Sequence, residues 1–219
     1  MAVINGRVLF VTTSPRTPEK MIPELELLDR LFSGNKWDSD TQKSFMRALR
    51  EEDFFRGRAA KNPAFSARDR INRAPQSYGF VRLSPTVELT PVGRKLIGAG
   101  RTQELFFRQL LKFQLPSPYH KIGARGAKFR VKPFLEIFRL IRHFDTLTFD
   151  ELQIFGLQLT DYKKFDNVVA KIEQFRSGKD CGKESYKKYR QDVMEKEIRS
   201  IYSCDIRAGK IKIRENKDQ

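Results

Sequence analysis

Between Ser66 and Arg73 the sequence reads SARDRINR, which sets three arginines, an aspartate, an asparagine and a serine within eight residues. An arginine fork donates twice to guanine O6 and N7, an asparagine amide matches adenine, and a carboxylate accepts from cytosine N4. Ser66, Arg68, Asp69, Arg70, Asn72 and Arg73 are therefore candidates for reading base edges in the major groove of double-stranded DNA. On a helix, residues one or two apart point in different directions, so Arg68 and Arg70 cannot share a face and one of them is left for phosphate. Asp69 either accepts from a base or caps the helix and orients an arginine.

The charge balance points to a polyanionic partner. Forty-three Lys and Arg against 27 Asp and Glu give +16 over 219 residues, which suits nucleic acid or an acidic membrane surface. Arg16, Lys20, Lys61, Tyr78, Arg82, Lys112, His120, Lys121, Arg125, Lys128, Arg130 and Lys132 are expected on DNA phosphates. Such contacts position a protein and make its affinity fall steeply with salt, without specifying sequence. Phe65, Phe80, Phe106 and Phe113 are expected in the core and not stacked on bases. With 39% hydrophobic residues and eighteen phenylalanines, the chain has the material for a folded core.

A search for catalytic chemistry is negative. No Walker-type loop or GxGxxG motif is present, and His120 and His143 are too few for a zinc-hydrolase constellation. His143 is expected on the polar side of a helix with Glu136 and Arg139. Asp161-Tyr162-Lys163 after Asp150, and Glu215-Asn216-Lys217 after Asp205, carry the acid, any residue, lysine spacing of the PD-(D/E)xK nucleases. In those nucleases the acids converge on a metal from adjacent strands, whereas Asp150 and Asp161 fall in the first turns of helices, where acids complement the dipole. Both matches are read as chance, so no catalytic residue, metal or cofactor is expected in this chain. Cys181 and Cys204 form no CxxC pair, which indicates neither a disulfide framework nor a zinc site and fits a reducing cytosol. No apolar run approaches the length of a membrane span.

The elements that must hold these residues follow from periodicity and punctuation. RVLFVTT, residues 7–13, reads as a strand. A helix is expected from Pro23, burying Leu25, Leu28 and Phe32 and ending where Gly34 takes a left-handed cap. A second, from about Thr41 to Asp53, turns Phe45, Ala48 and Leu49 inward. Ser66 and Asp69 form a capping-box pattern that starts a short helix from Ala67 to about Asn72. Val81 to Leu89 alternates as a hairpin, with Arg82 facing Glu88, and Thr90 caps a helix that opens on Pro91. This order is that of a winged helix-turn-helix, with the short helix as reader and the hairpin as wing.

Beyond residue 100, TQELFFRQLLKFQL is apolar enough to bury more than one side and to lie between two halves. A helix PFLEIFRLIRHF follows, then one capped by Thr148 and Glu151 with Leu152, Phe155 and Leu159 inward. Thr160 is expected to cap another, with Tyr162, Phe165, Val169 and Ile172 on its buried face. A last amphipathic helix spans about Glu184 to Tyr202 and precedes a basic tail. The fold class is thus mainly α (α+β), with tandem winged-helix or helix-turn-helix-like subdomains and a small β-hairpin wing. The expected divisions are 1–100, 101–178 and 179–219.

SPRTPEKMIPEL at 14–25, AFSARDRINRAPQSYGFV at 64–81, LTPVGRKL at 89–96 and QLLKFQLPSPYHK at 109–121 carry a family likeness. Over about residues 7–176 the chain resembles the N-terminal recognition region of AlwI-type type IIS restriction and nicking endonucleases. The resemblance implies sequence-specific binding of a short asymmetric duplex target by a monomeric, cytoplasmic, bacterial-type protein. It also implies magnesium-dependent cutting by a PD-(D/E)xK domain that follows a linker and for which these residues have no counterpart. The chain then acts as a recognition fragment, a truncated product or a specificity subunit with a separate nuclease. A winged-helix transcriptional regulator, dimeric on a two-fold site, is the alternative.

Overall fold

Thr17 and Pro18 begin the first helix five residues earlier than Pro23 suggests. Pro18 at the first helical position has no N–H to satisfy, and Met21 N donates to Thr17 O at 3.2 Å, so α1 runs Pro18–Phe32 with Pro23 inside it. The computed structural model describes residues 7–9, 17–57, 61–98, 100–115, 131–178 and 182–210, without the side chains of Pro18, Lys183 and Glu184. Among these residues it is mainly helical, with one two-stranded sheet. The chain divides into two units, one of residues 1–4 and 10–134 and one of residues 5–9 and 135–219.

In the first unit α1 is followed by α2 (Ser39–Glu51), α3 (Pro63–Ile71) and the single turn α4 (Ala74–Ser77). Asp38 starts α2 by accepting from Thr41 N at 2.9 Å, and these bonds hold its carboxyl below the usual carboxylate range. Leu25, Leu28 and Phe32 of α1 and Phe45, Met46 and Leu49 of α2 are buried as their spacing requires, while Ala48 is only half-buried. Gly34 has φ +82°, and its N–H donates to Val87 O at 2.9 Å, joining the end of α1 to the hairpin.

The hairpin pairs β1 (Val81–Arg82) with β2 (Glu88–Leu89) antiparallel, with Val81 opposite Leu89 and Arg82 opposite Glu88. Arg82 and Glu88 approach to 4.0 Å on the solvent side, the cross-strand pair expected from the alternation. Thr90 then caps α5 (Pro91–Gly98), its hydroxyl accepting from Gly93 N at 3.0 Å and donating to Gly79 O at 2.7 Å.

α6 (Thr102–Lys112) differs from its expected depth. None of its residues is fully buried and Phe107 is 47% exposed. It belongs to the first unit through Phe106, whose ring stacks on Phe80 at 6.0 Å and meets Tyr78 edge-on at 5.4 Å. The expected division near residue 100 therefore lies inside that unit, and the change of unit falls at Phe134–Leu135. Leu115 and Val131 pair through two backbone hydrogen bonds of 2.7 and 2.9 Å, and residues 116–130 lie outside the described residues.

The second unit holds most of α7 (Pro133–Phe144), then α8 (Phe149–Ile154), α9 (Phe165–Ser177), α10 (Lys183–Ile201) and α11 (Ser203–Arg207). The Thr148–Glu151 capping box forms as expected, and Phe155 and Leu159 are buried with Leu152 half-buried. Thr160 is not a cap. Asp161 takes that place by accepting from Lys163 N at 2.9 Å, while the Thr160 hydroxyl accepts from Lys164 Nζ at 2.7 Å. A 3-10 turn, Tyr162–Lys164, precedes α9 and shifts its buried stripe to Val168, Ile172 and Phe175, leaving Tyr162 exposed. Residues 7–9 form no strand, although Leu9 N donates to Leu157 O at 2.6 Å; residues 10–13 lie outside the described residues.

Candidate nucleic-acid interface

Helix α3 begins at Asn62 and not at Ser66. The Asn62 side chain accepts from Phe65 N at 3.0 Å and Pro63 occupies the first helical position, a stronger start than the Ser66–Asp69 pattern downstream. Ser66 and Asp69 are consequently interior to a helix of nine residues. Ala64, Ala67 and Ile71 form its buried stripe, so the residues on the opposite side are Phe65, Ser66, Asp69 and Arg73.

The candidate readers separate into distinct roles. Arg73 Nε meets Asp69 Oδ1 at 2.7 Å on the outward side. Arg68 is exposed, and its guanidinium donates to Gln42 Oε1 at 2.9 Å. Gln42 is itself buried on α2 and donates to Trp37 O at 2.9 Å, which fixes the oxygen that Arg68 uses. Asn72 accepts from Trp37 Nε1 at 2.8 Å, so its amide oxygen is committed within the fold.

Arg70 points to the other flank. It forms an ion pair with Glu24 of α1 and lies over the Phe55 ring at 4.9 Å. Glu24 is 3% exposed, and its second oxygen has no hydrogen-bond partner among the described residues. Burial pushes the Glu24 carboxyl above its ordinary value by more than Arg70 draws it down. Arg68 and Arg70 thus leave the helix on different sides, as helical geometry requires.

Among the expected phosphate contacts, Lys20, Lys61, Arg82 and Lys112 are exposed on the first unit, and Lys132 is exposed after the Leu115–Val131 bridge. Tyr78 is a correction. Only 7% exposed, it packs edge-on against Phe80, Phe106 and Phe113, at 6.5, 5.4 and 5.2 Å, and serves the core. Arg16, His120, Lys121, Arg125, Lys128 and Arg130 lie outside the described residues. Phe80 and Phe113 are buried as expected and Phe106 is half-buried, but Phe65 is 54% exposed.

Sequence reasoning passed over Lys43, Arg47 and Arg50, all exposed at i, i+4 and i+7 along α2. That spacing lines one helix face and was available from the same periodicity that placed Phe45 and Leu49 inside. Gln42 carried a signal as well. It stands three residues before Phe45 on the buried stripe, where a polar side chain must find a partner.

The acids with nuclease-like spacing are engaged elsewhere. Asp150 accepts from Arg190 Nε at 2.6 Å and from the Tyr186 hydroxyl at 2.8 Å, while Asp161 caps a turn. Burial, reinforced by the bond to Asp150, pushes the Tyr186 phenol up to about 12. Asp205 pairs with Arg7, and Glu215 and Lys217 lie outside the described residues. Among the described residues no group of three or more His, Cys, Asp or Glu side chains is placed to hold a metal ion. His143 is exposed beside Phe144, whereas Glu136, expected on the same polar side, is buried and paired with Arg139 at 2.7 Å. No helix among the described residues is long and apolar enough to cross a membrane.

A family model described as AlwI restriction endonuclease matches residues 77–213, more than half of the chain. The matched span takes in the hairpin, α5, α6 and the second unit from α7 to α11; α3 precedes it. No curated protein matches the sequence.

Proposed function

Since the chain belongs to the AlwI restriction endonuclease family, we propose that it supplies the DNA recognition of such an enzyme, binding a short asymmetric sequence in double-stranded DNA as a monomer. The observation that carries this reading is the set of polar side chains that α3 leaves accessible: exposed Arg68 on the flank toward α2, and half-exposed Asp69 paired with Arg73 on the outward side. In a winged-helix arrangement α3 enters the major groove, α2 crosses the backbone and the β1–β2 hairpin serves as wing. The helix order of the first unit supports that assignment.

Arg68, held by Gln42, donates to a base edge, and a guanine is the acceptor that suits a guanidinium best. Asp69 orients Arg73, which reads a second base or grips phosphate. Lys20, Lys43, Lys61, Arg47, Arg50, Arg82 and Lys112 contact phosphate and give the complex its salt dependence. Arg16 and the residues His120, Lys121, Arg125, Lys128 and Arg130 belong to the same group. Cleavage of type IIS or nicking character falls to a separate magnesium-dependent PD-(D/E)xK domain or subunit, and the protein works on DNA in the cytoplasm. The family assignment favours restriction over transcriptional regulation.

Equilibrium selection of the chain against a randomised duplex pool tests the reading. An enriched, short, asymmetric motif is expected; no motif, or a strictly palindromic one, overturns it. Supercoiled plasmid incubated with the chain and Mg²⁺ is expected to remain intact, and nicking would place catalysis in these residues.

A further inference from the structure

Phe65 departs from the pattern of its helix. The core face of α3 is filled by Ala64, Ala67 and Ile71, yet Phe65 keeps 54% of its surface in solvent. Its backbone is fixed, because its N–H is the donor that the Asn62 cap receives at 3.0 Å. It therefore stands in the first turn of the helix, one turn before Arg68 and Asp69.

The surroundings discriminate between partners. Exposed Lys61 immediately precedes the Asn62 cap, exposed Arg68 follows Phe65 by three residues, and the Asp69–Arg73 pair lies on the side of α3 that carries Phe65. An apolar protein surface docking on Phe65 would have to bury these charges, and charged groups are depleted at the centres of such interfaces. A duplex places phosphates against the cations instead, and its major groove offers an apolar group beside each adenine, the C5-methyl of thymine. Residues at the start of a groove-reading helix are the ones that reach base edges.

Resting on the DNA-recognition reading above, we propose that Phe65 contacts the C5-methyl of one thymine in the target. Helix α3 then reads one A·T pair by apolar contact beside the base hydrogen-bonded by Arg68.

The test uses the full chain and the motif enriched from the randomised pool, with each thymine replaced in turn by uracil, which lacks only the methyl. Wild type is expected to lose about fourfold in affinity at one position, the equivalent of the ~0.8 kcal/mol of one buried methylene. Phe65→Ala is expected to bind the thymine and uracil duplexes equally at that position, with its helical circular dichroism and its affinity for random DNA unchanged. Phe65→Leu provides a second variant should alanine weaken the helix, and is expected to keep part of the methyl preference. A motif without any uracil-sensitive position, or the same sensitivity in wild type and both variants, overturns the contact while leaving the DNA reading in place. Failure to enrich any sequence rejects the DNA reading and the contact together.

Discussion

Arg70 is held by Glu24: the two side chains form an ion pair in which the carboxylate is almost wholly buried and the guanidinium covers the Phe55 ring. An arginine so placed ties α3 to α1 and cannot reach a base without abandoning a buried charge. Breaking a buried pair costs about 3–5 kcal/mol, because the remaining charge loses its compensation. Arg70→Ala is therefore expected to destabilise the protein by about that amount and to weaken cognate and random DNA alike. Arg68→Ala should leave stability within about 1 kcal/mol and cost roughly 1–3 kcal/mol of discrimination at one base position. Urea unfolding combined with binding to single-base variants of the motif separates the two, and selective loss of specificity in Arg70→Ala would reverse the assignment.

The same pair makes stability depend on pH. Burial raises the Glu24 carboxyl above its ordinary 4.5, the first and largest influence on it. The folded protein consequently holds a proton there that the unfolded chain releases at lower pH, so the contribution of Glu24 to stability is fully present below 4.5 and is lost as pH rises through the folded value. Glu24→Gln removes the titration. The stability of wild type relative to Glu24→Gln should therefore decline as pH rises from 4 towards 7 in urea unfolding experiments. A difference that stays flat or grows would contradict the sign.

How far the sequence could show this depends on the kind of interaction. Local signals held: Arg82 faces Glu88, Thr90 caps α5, and Thr148 with Glu151 makes a reciprocal box. Each depends on residues a few positions apart. Where two local signals competed, the stronger start won, as Asn62–Pro63 did over Ser66–Asp69 and Asp161 over Thr160. The roles of Arg70 and Asn72 were not legible, since their partners Glu24 and Trp37 lie 46 and 35 positions away and are supplied by helix packing. Helical spacing alone parts Arg68 from Arg70, but which of Arg68, Arg70, Asn72 and Arg73 is engaged within the fold is shown only by tertiary structure.

Trp37 and Asn72 give an optical test of that division. The chain has one tryptophan, and its indole N–H donates to Asn72 Oδ1 at 2.8 Å in a partly buried setting. Asn72→Ala leaves that donor without its partner, at a cost of about 1–3 kcal/mol. The variant is expected to shift tryptophan emission in the folded state and to bind cognate and random DNA in the wild-type ratio. Were Asn72 a reader of adenine, specificity would fall while emission stayed unchanged.

Gly93 sets helix propensity against packing. It lies in α5, and a Cβ built there would fall 2.0 Å from the carbonyl oxygen of Phe80, an atom of the backbone beside the hairpin. Propensity alone favours alanine over glycine inside a helix by about 1 kcal/mol. The clash must dominate, because Phe80 is wholly buried and its carbonyl also accepts from Thr90 N at 3.0 Å, so the backbone at Phe80 cannot retreat without losing that hydrogen bond. Overpacking of this kind costs typically 1–3 kcal/mol, occasionally more. Gly93→Ala is expected to destabilise the first unit by about 2 kcal/mol or more, and urea unfolding gives the sign directly. A stabilised variant would show that α5 and the hairpin can separate at no cost.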